Sequence, residues 1–270
     1  MIMKSLNQYI QEKLIVNKNY NPYTCVPKSF KELRNIIKDR YDKLGAGTEQ
    51  DPIDFNDVDI SNIDSFYDKN KGGIFGNTKF KYIDIKYWDV SNATNIAYMF
   101  YMCKELESIG DISGWDVSSI RNMIGMFYEC RSFNQDLSGW NVSNVTSMSF
   151  MFYNCKSFNQ DISSWNVSNV ENMSDMFYDC EELESVGDIS KWNVSNVTAM
   201  QFMFCYCKEL ESIGDISKWD VSSVTNMSYM FCDCKSFNQD LSKWNVLSVK
   251  NNLSMFDNCP IKDEYKPKFK

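Results

Sequence analysis

Hydrophobic residues recur along this chain in a fixed pattern, and tryptophan marks its period most clearly. Every Trp has Ile or Leu three residues before it and Val two residues after it. Successive Trp residues are 25 or 27 positions apart, at Trp88, Trp115, Trp140, Trp165, Trp192, Trp219 and Trp244. A fixed period of this length predicts stacked repeats that share one core. We number positions in each repeat from its Trp, so that +12 lies twelve residues after it.

The apolar spacing within a repeat changes after the Trp. Trp140 and Val142 are two residues apart, which places both on one face of a strand, and the residues around them fit the strand motif of leucine-rich repeats. Positions +8, +11, +12 and +15 are apolar in most repeats, as in Met148, Met151, Phe152 and Cys155. This second spacing is typical of an amphipathic helix. The sequence therefore predicts an α/β repeat solenoid with a parallel β-sheet on one face and short helices on the other.

The two ends of the repeat array differ from its middle. Ser29 and Glu32 form a capping box, an apolar stripe runs from Leu33 to Leu44, and Gly45 is a helix stop signal. We therefore expect residues 1–50 to form a helical N-terminal cap and residues 51–87 a degenerate capping repeat. Residues 88–259 are then seven repeats, and residues 260–270 a basic C-terminal tail that we expect to be loose.

Charge and composition argue against several classes of function. The 28 basic and 36 acidic residues leave a net charge of −8, and between Asp84 and Cys259 only 11 basic residues stand against 23 acidic ones. Such an acidic surface repels phosphate, which argues against nucleic acid as a partner. The chain contains no His, so Ser-His-Asp hydrolysis and His-ligated metal chemistry are excluded.

The hydropathy pattern also bears on location. No apolar run approaches 18 residues, and Lys4, Gln8 and Glu12 interrupt the first segment. We therefore expect no membrane insertion and no secretory signal, and hence a cytoplasmic location. A phage-encoded or virion-associated origin stays open.

Repeats such as DVSSVTNMSYMFCDCKSFNQDLSKW, residues 220–244, carry a specific resemblance. From about Asp84 to Cys259 the chain resembles the BspA-like leucine-rich-repeat proteins, whose repeat of roughly 25 residues also occurs in mycoplasma lipoproteins. The resemblance implies a right-handed superhelix, attachment to other proteins and no catalytic activity.

Cysteine stands at +15 in all seven repeats. This column predicts buried free thiols, because Cys packs as a small hydrophobe, and we expect no metal and no cofactor. Cys205 and Cys232 lie at +13 in adjacent repeats and leave two alternatives open. One is a four-thiolate zinc site with the +15 cysteines, which the opposite faces of helix positions two apart disfavour, and the other is a Cys205–Cys232 disulfide in an oxidising compartment.

Polar residues repeat as faithfully as apolar ones. Asp stands four residues before every Trp, and we interpret each carboxylate as an acceptor of backbone N–H groups in an Asx turn; the alternative is a row of weak calcium sites. Ser and Asn beside the Trp are interpreted as hydrogen-bonded ladders between identical repeats, with a flat polar binding face as the alternative.

Positions that vary between repeats are better candidates for recognition, because the architecture does not fix them. Later repeats have a basic residue at −1: Lys191, Lys218 and Lys243. Aromatic residues at +10 and +13 face away from the Met and Cys stripe of the predicted helix: Tyr98, Tyr101, Tyr128, Phe150, Tyr153, Tyr178, Phe202 and Tyr229. Exposed aromatic rings suit a protein contact surface; the alternative is that they lie flat on the next repeat, partly buried.

The sequence thus predicts a non-catalytic protein–protein interaction module for attachment or recognition. Its partner is expected to be a protein or peptide, bound by the concave strand face or by the aromatic helical face. Two other classes stay open. One is a structural spacer of a phage or surface fibre, and the other is a carbohydrate-active enzyme that uses paired acids such as Asp136 and Asp161.

Overall fold

The computed structural model describes residues 23–270, so the part of the expected N-terminal cap before Tyr23 lies outside the described residues. Helix α1 spans Phe30–Leu44. Ser29 Oγ accepts a hydrogen bond from the Glu32 N–H at 3.3 Å, and the helix ends at Gly45, which has φ 79°. The helix and its two caps, as predicted, are confirmed. Within residues 23–270, no helix is long and apolar enough to cross a bilayer.

Regular strands are few and short. β1 (Ile53–Asp54) pairs in parallel with β4 (Ile83–Asp84), and β2 (Tyr67–Asp68) pairs antiparallel with β3 (Gly72–Gly73). Three short 3-10 helices span Ile189–Lys191, Ile216–Lys218 and Asp263–Tyr265. Elsewhere successive repeats are joined by isolated parallel bridges at +7, which run from the Ser65–Asn95 pair to the Asn226–Asn251 pair. The chain is therefore a repeat fold in which each repeat pairs with the next.

The short helices predicted at +8 to +15 do not form. Two consecutive turns replace them: the Met151 N–H donates to the +8 carbonyl at 3.2 Å, and the Cys155 N–H donates to the +12 carbonyl at 3.0 Å. The third residues of these turns, Phe150 and Asn154, have φ of 59° and 55°. This left-handed conformation is the one that a type II turn requires. The first and last residues of each turn are buried, namely Met148 and Met151 in one and Phe152 and Cys155 in the other. Their spacing of i, i+3, i+4 and i+7 is the same as that of residues on one face of a helix.

The strand predicted at the Trp is also absent. The Trp140 N–H donates to the Leu137 carbonyl at 3.1 Å and the Val145 N–H to the Val142 carbonyl at 2.9 Å, so this part of the repeat consists of turns. Pairing between repeats occurs further along. In the repeats of Trp88 to Trp219, the N–H groups at +8, +10, +12 and +14 donate to carbonyls at +7, +9, +11 and +13 of the next repeat, at 2.6–3.1 Å.

One continuous core runs through the stacked repeats. The Phe rings at +12 stack on their neighbours with centroids 5.3–6.0 Å apart, from Phe100 to Phe256. The Trp side chains are buried, and the indole N–H groups of Trp140, Trp165, Trp219 and Trp244 donate to the −3 carbonyl of the preceding repeat at 2.8–3.1 Å. Each repeat thus completes the core of its neighbour, so no repeat is self-sufficient.

The C-terminal tail is packed, and the prediction of a loose tail is wrong. The Leu241 N–H donates to the Tyr265 carbonyl at 2.8 Å, and the Lys262 N–H donates to Asn238 Oδ1 at 3.1 Å. Ile261 is buried. These residues supply the last repeat with hydrogen-bond partners of the kind that a following repeat supplies elsewhere in the stack.

Candidate interaction surface

The Asp column is tied into turns. Oδ1 of Asp136 accepts the Ser138 N–H at 2.8 Å, and Oδ1 of Asp161 accepts the Ser163 N–H at 2.8 Å. The backbone N–H of Ser138 lowers the pKa of the Asp136 carboxyl. The Asx-turn interpretation is confirmed in six of the seven repeats, and in the seventh Asp215 Oδ1 accepts a hydrogen bond from Ser217 Oγ at 2.6 Å. Across residues 23–270, no three His, Cys, Asp or Glu side chains converge in a way that could hold a metal ion.

Other repeated polar residues form ladders. The amide Nδ2 groups of Asn144, Asn169 and Asn196 each donate to the +3 carbonyl of the preceding repeat, at 2.6–2.7 Å. The repeated Asn side chains therefore serve the stacking of repeats and the repeated Asp side chains the turns within them, which accounts for their repetition without a ligand.

Six of the seven +15 cysteines are buried free thiols, as predicted, and the seventh, Cys259, is a half-buried free thiol. In six repeats the +15 thiol donates to the Phe carbonyl of the preceding repeat at 2.9–3.1 Å, starting with Cys103 on Phe75. Burial raises the pKa of the Cys103 thiol to about 11. Cys205 and Cys232 are also free thiols, so the structure holds no disulfide between them.

The eight candidate aromatic residues form a continuous strip, called here the aromatic strip, and all eight are half-buried. At +13 the Tyr101–Tyr128, Tyr128–Tyr153 and Tyr153–Tyr178 ring centroids are 5.0, 4.4 and 4.5 Å apart. At +10 the Phe202 and Tyr229 centroids are 4.7 Å apart. The rings lie against the neighbouring repeat, as the packing alternative proposed, and each leaves part of its area at the surface.

Position +10 has an unusual backbone. Tyr98, Phe150, Phe202 and Tyr229 have φ between 54° and 59°, a conformation that bulky side chains rarely adopt. Glycine adopts it without strain, and Gly125 occupies this position in one repeat. Four of the seven repeats nevertheless carry an aromatic residue at +10, so the backbone conformation does not by itself explain the choice of side chain.

Asp175 occupies +10 between the repeats that carry Phe150 and Phe202, and the sequence reasoning missed it. Its side chain is half-buried, and burial raises the pKa of its carboxyl to about 6. Within residues 23–270 no Lys or Arg forms an ion pair with it, whereas Glu129 pairs with Lys104 at 3.1 Å and Asp233 with Lys235 at 2.7 Å. A comparison of position +10 across the repeats would have identified this carboxylate.

The three candidate lysines lie apart from the aromatic strip. Lys191, Lys218 and Lys243 are exposed beside the Asp column, and Lys218 Nζ is 3.0 Å from Asp215 Oδ2. The cation–π pairs within the described residues involve other side chains. The structure thus places the predicted site residues in two separate groups.

Comparisons with known proteins agree with the repeat pattern. The model of a family described as "Mycoplasma protein of unknown function, DUF285" matches residues 69–188 and 182–263. This match confirms the resemblance to BspA-like repeat proteins. Among solved structures, a leucine-rich repeat protein from Bacteroides ovatus is 14% identical, with 78% of this chain and 76% of that chain covered and a TM-score of 0.29. A score this low supports no conclusion. No curated protein matches the chain.

Proposed function

We propose that this chain, which belongs to the repeat family described as Mycoplasma protein of unknown function, DUF285, is a non-catalytic interaction module. Its partner is a protein or peptide that contacts the aromatic strip, in an attachment or recognition role. The observation that carries the proposal is the backbone at +10, where four aromatic residues occupy a conformation that favours glycine.

The strip has the chemistry of a recognition surface. Aromatic rings supply large contact areas and are enriched at protein interfaces. Stacking on the neighbouring repeat fixes each ring before binding, so little side-chain entropy is lost when a partner arrives. Repeats that share one geometry also present their rings at a regular spacing, which suits an extended partner.

Asp175 indicates what the partner contributes. A half-buried carboxylate among aromatic residues, with no ion pair to a Lys or Arg of residues 23–270, suits a Lys or Arg side chain of a partner, because both the charge and the ring faces attract a cation. We therefore propose that the partner inserts a basic side chain beside Asp175.

The absence of catalysis is part of the proposal. A glycosidase needs one carboxyl with a raised pKa beside a second that is ionised. The carboxyls of Asp136 and Asp161 make the same turn bond, and the pKa of Asp136 is lowered, which does not suit a general acid. We also propose that the stack winds as a right-handed superhelix, in keeping with the BspA-like resemblance.

The test is affinity capture from an extract of the organism that encodes the chain. A variant with Tyr128→Ser, Tyr153→Ser and Tyr178→Ser should lose the captured partner. The matched control changes the same three residues to Phe, which keeps the rings, and should retain it. Equal capture by a correctly folded Ser variant would reject the strip as the binding surface and favour the spacer function.

A second comparison tests the cation. Asp175→Asn and Asp161→Asn each remove one negative charge, but only Asp175 occupies +10, the position that carries aromatic residues of the strip in other repeats. We expect Asp175→Asn to weaken capture and Asp161→Asn to leave it unchanged. Equal weakening would show that the partner responds to net charge alone.

A further inference from the structure

The stack of repeats has a direction. Each repeat uses the N–H groups at +8, +10, +12 and +14 to reach the carbonyls of the following repeat. The peptide dipoles of these groups therefore point the same way throughout the stack, and they add up as they do along a helix. The first repeat is left with outward carbonyls, and the last with outward N–H groups.

The carbonyl end is covered. Arg34 of helix α1 donates from Nη1 to the Lys71 carbonyl at 2.6 Å and to the Gly73 carbonyl at 2.8 Å. A cation at the negative end of the aligned dipoles is the favourable arrangement.

The N–H end of the stack is uncovered within the described residues. The backbone N–H groups of Asn252, Ser254, Phe256 and Asn258, which we call the donor edge, have no acceptor within residues 23–270. The packed tail does not reach them, because its backbone bond goes to Leu241. Ser254 and Asn258 have φ of 52° and 55°, the same left-handed backbone that these two positions have in the preceding repeats.

The side chains at this end also differ from those of the other repeats. Leu247 stands where the six preceding repeats have Ser, and it is 63% exposed; Leu253 is 60% exposed. A terminal repeat that faces only water is normally polar on its outer side. Between Lys250 and Lys270, five lysines stand against three acids, although the repeats before them are acidic.

We propose that the donor edge binds an acidic segment of a partner polypeptide. The carbonyl oxygens of that segment accept the four N–H groups as a following repeat would, its apolar atoms cover Leu253, and its carboxylates face the lysines. A second copy of this chain does not fit the donor edge. If two donor edges met, N–H groups would face N–H groups, and the carbonyl end of the second copy is already covered by its Arg34. This surface is separate from the aromatic strip, so the inference does not rest on the proposed function.

The chain itself provides the probe. In the folded chain, carbonyls of residues 169–182 accept the N–H groups of the Trp140 repeat, as the proposed partner segment would accept those of the donor edge. Residues 169–182 also include five acidic residues. A synthetic peptide of this sequence with Cys180→Ser is titrated into the full isotope-labelled chain and followed by NMR. We expect the amide signals of the donor edge to shift.

Two variants of the chain and a scrambled peptide test whether binding is specific to the donor edge. Leu253→Ser should weaken peptide binding about tenfold, because an apolar contact is lost. Leu44→Ser, which changes a 63%-exposed Leu at the other end, should have no effect. The proposal is overturned if a scrambled peptide of the same composition binds equally well, if the donor-edge signals do not move, or if sedimentation shows that the edge pairs two copies of the chain.

Discussion

At the level of single residues, position +10 carries much of the difference between repeats. Its residues are Tyr98, Gly125, Phe150, Asp175, Phe202, Tyr229 and Ser254. The backbone there is left-handed in each repeat, so the side chain is free to vary while the turn is kept. Asp175 is the member of this series whose charge changes near neutral pH.

Asp175→Asn should change how stability depends on pH. Burial raises the folded-state pKa of the carboxyl from 3.8 to about 6, so the folded protein holds this proton more tightly than the unfolded chain. The free energy of unfolding therefore falls as the pH rises from about 4 to about 6. We expect the Asn variant to equal the wild type at pH 3 and to exceed it by about 1 kcal/mol at pH 7, in urea titrations.

Asp136→Asn is the control for the urea titrations of Asp175→Asn. The pKa of Asp136 is lowered by the Ser138 N–H, so its charged form stabilises the fold and is retained as the pH rises. This variant should be no more stable than the wild type at pH 7. A gain equal to that of Asp175→Asn would mean that general charge repulsion, rather than the burial of Asp175, sets the effect.

At the level of elements, the sequence predicted the period, the core residues and helix α1 with its caps, but it predicted the wrong local structure within the repeat. Met148, Met151, Phe152 and Cys155 are buried as expected. Their spacing arises from two four-residue turns, and periodicity alone cannot distinguish these from one helix. Apart from Gly125, the left-handed residues that could have separated the two are not glycines, so the usual turn signal was missing in most repeats.

Two asparagines of one repeat test the turn geometry. Asn154 has φ 55°, and its buried Oδ1 has no hydrogen-bond partner among the described residues, so Asn154→Gly should stabilise the protein by about 0.5–1 kcal/mol. Asn144 donates from Nδ2 to the Ser118 carbonyl at 2.7 Å, so Asn144→Gly should destabilise it by about 1 kcal/mol. Urea unfolding measures both. Loss of stability in both variants would argue against the turns.

At the level of the whole molecule, all repeats share one core. The candidate site therefore has no sequence motif of its own, and it was identified from the residues that occupy equivalent positions in successive repeats. The sequence predicted the aromatic strip because its rings recur at +10 and +13. A comparison of position +10 would have singled out Asp175, but its lack of an ion pair and the donor edge could not be predicted, because both depend on which groups lack a partner in the folded stack.

The cysteines report on the integrity of that stack. Eight of them are buried, whereas Cys25 and Cys259 are half-buried. We expect an alkylating reagent to label those two quickly in the native protein and the other eight only on unfolding, as read by mass spectrometry. Rapid labelling of the +15 column under native conditions would show that single repeats open independently.

The central claim is that recognition resides in the aromatic strip rather than in the polar ladder between repeats, and a comparison of two triple variants tests it most directly. One variant replaces Tyr128, Tyr153 and Tyr178 by Ser in the aromatic strip, and the other replaces Asn144, Asn169 and Asn196 by Ser in the shared polar ladder. Partner capture is quantified for both proteins after their native folds are verified. We predict that the first loses the partner and the second keeps it. Loss with the ladder variant and retention with the strip variant would contradict the account.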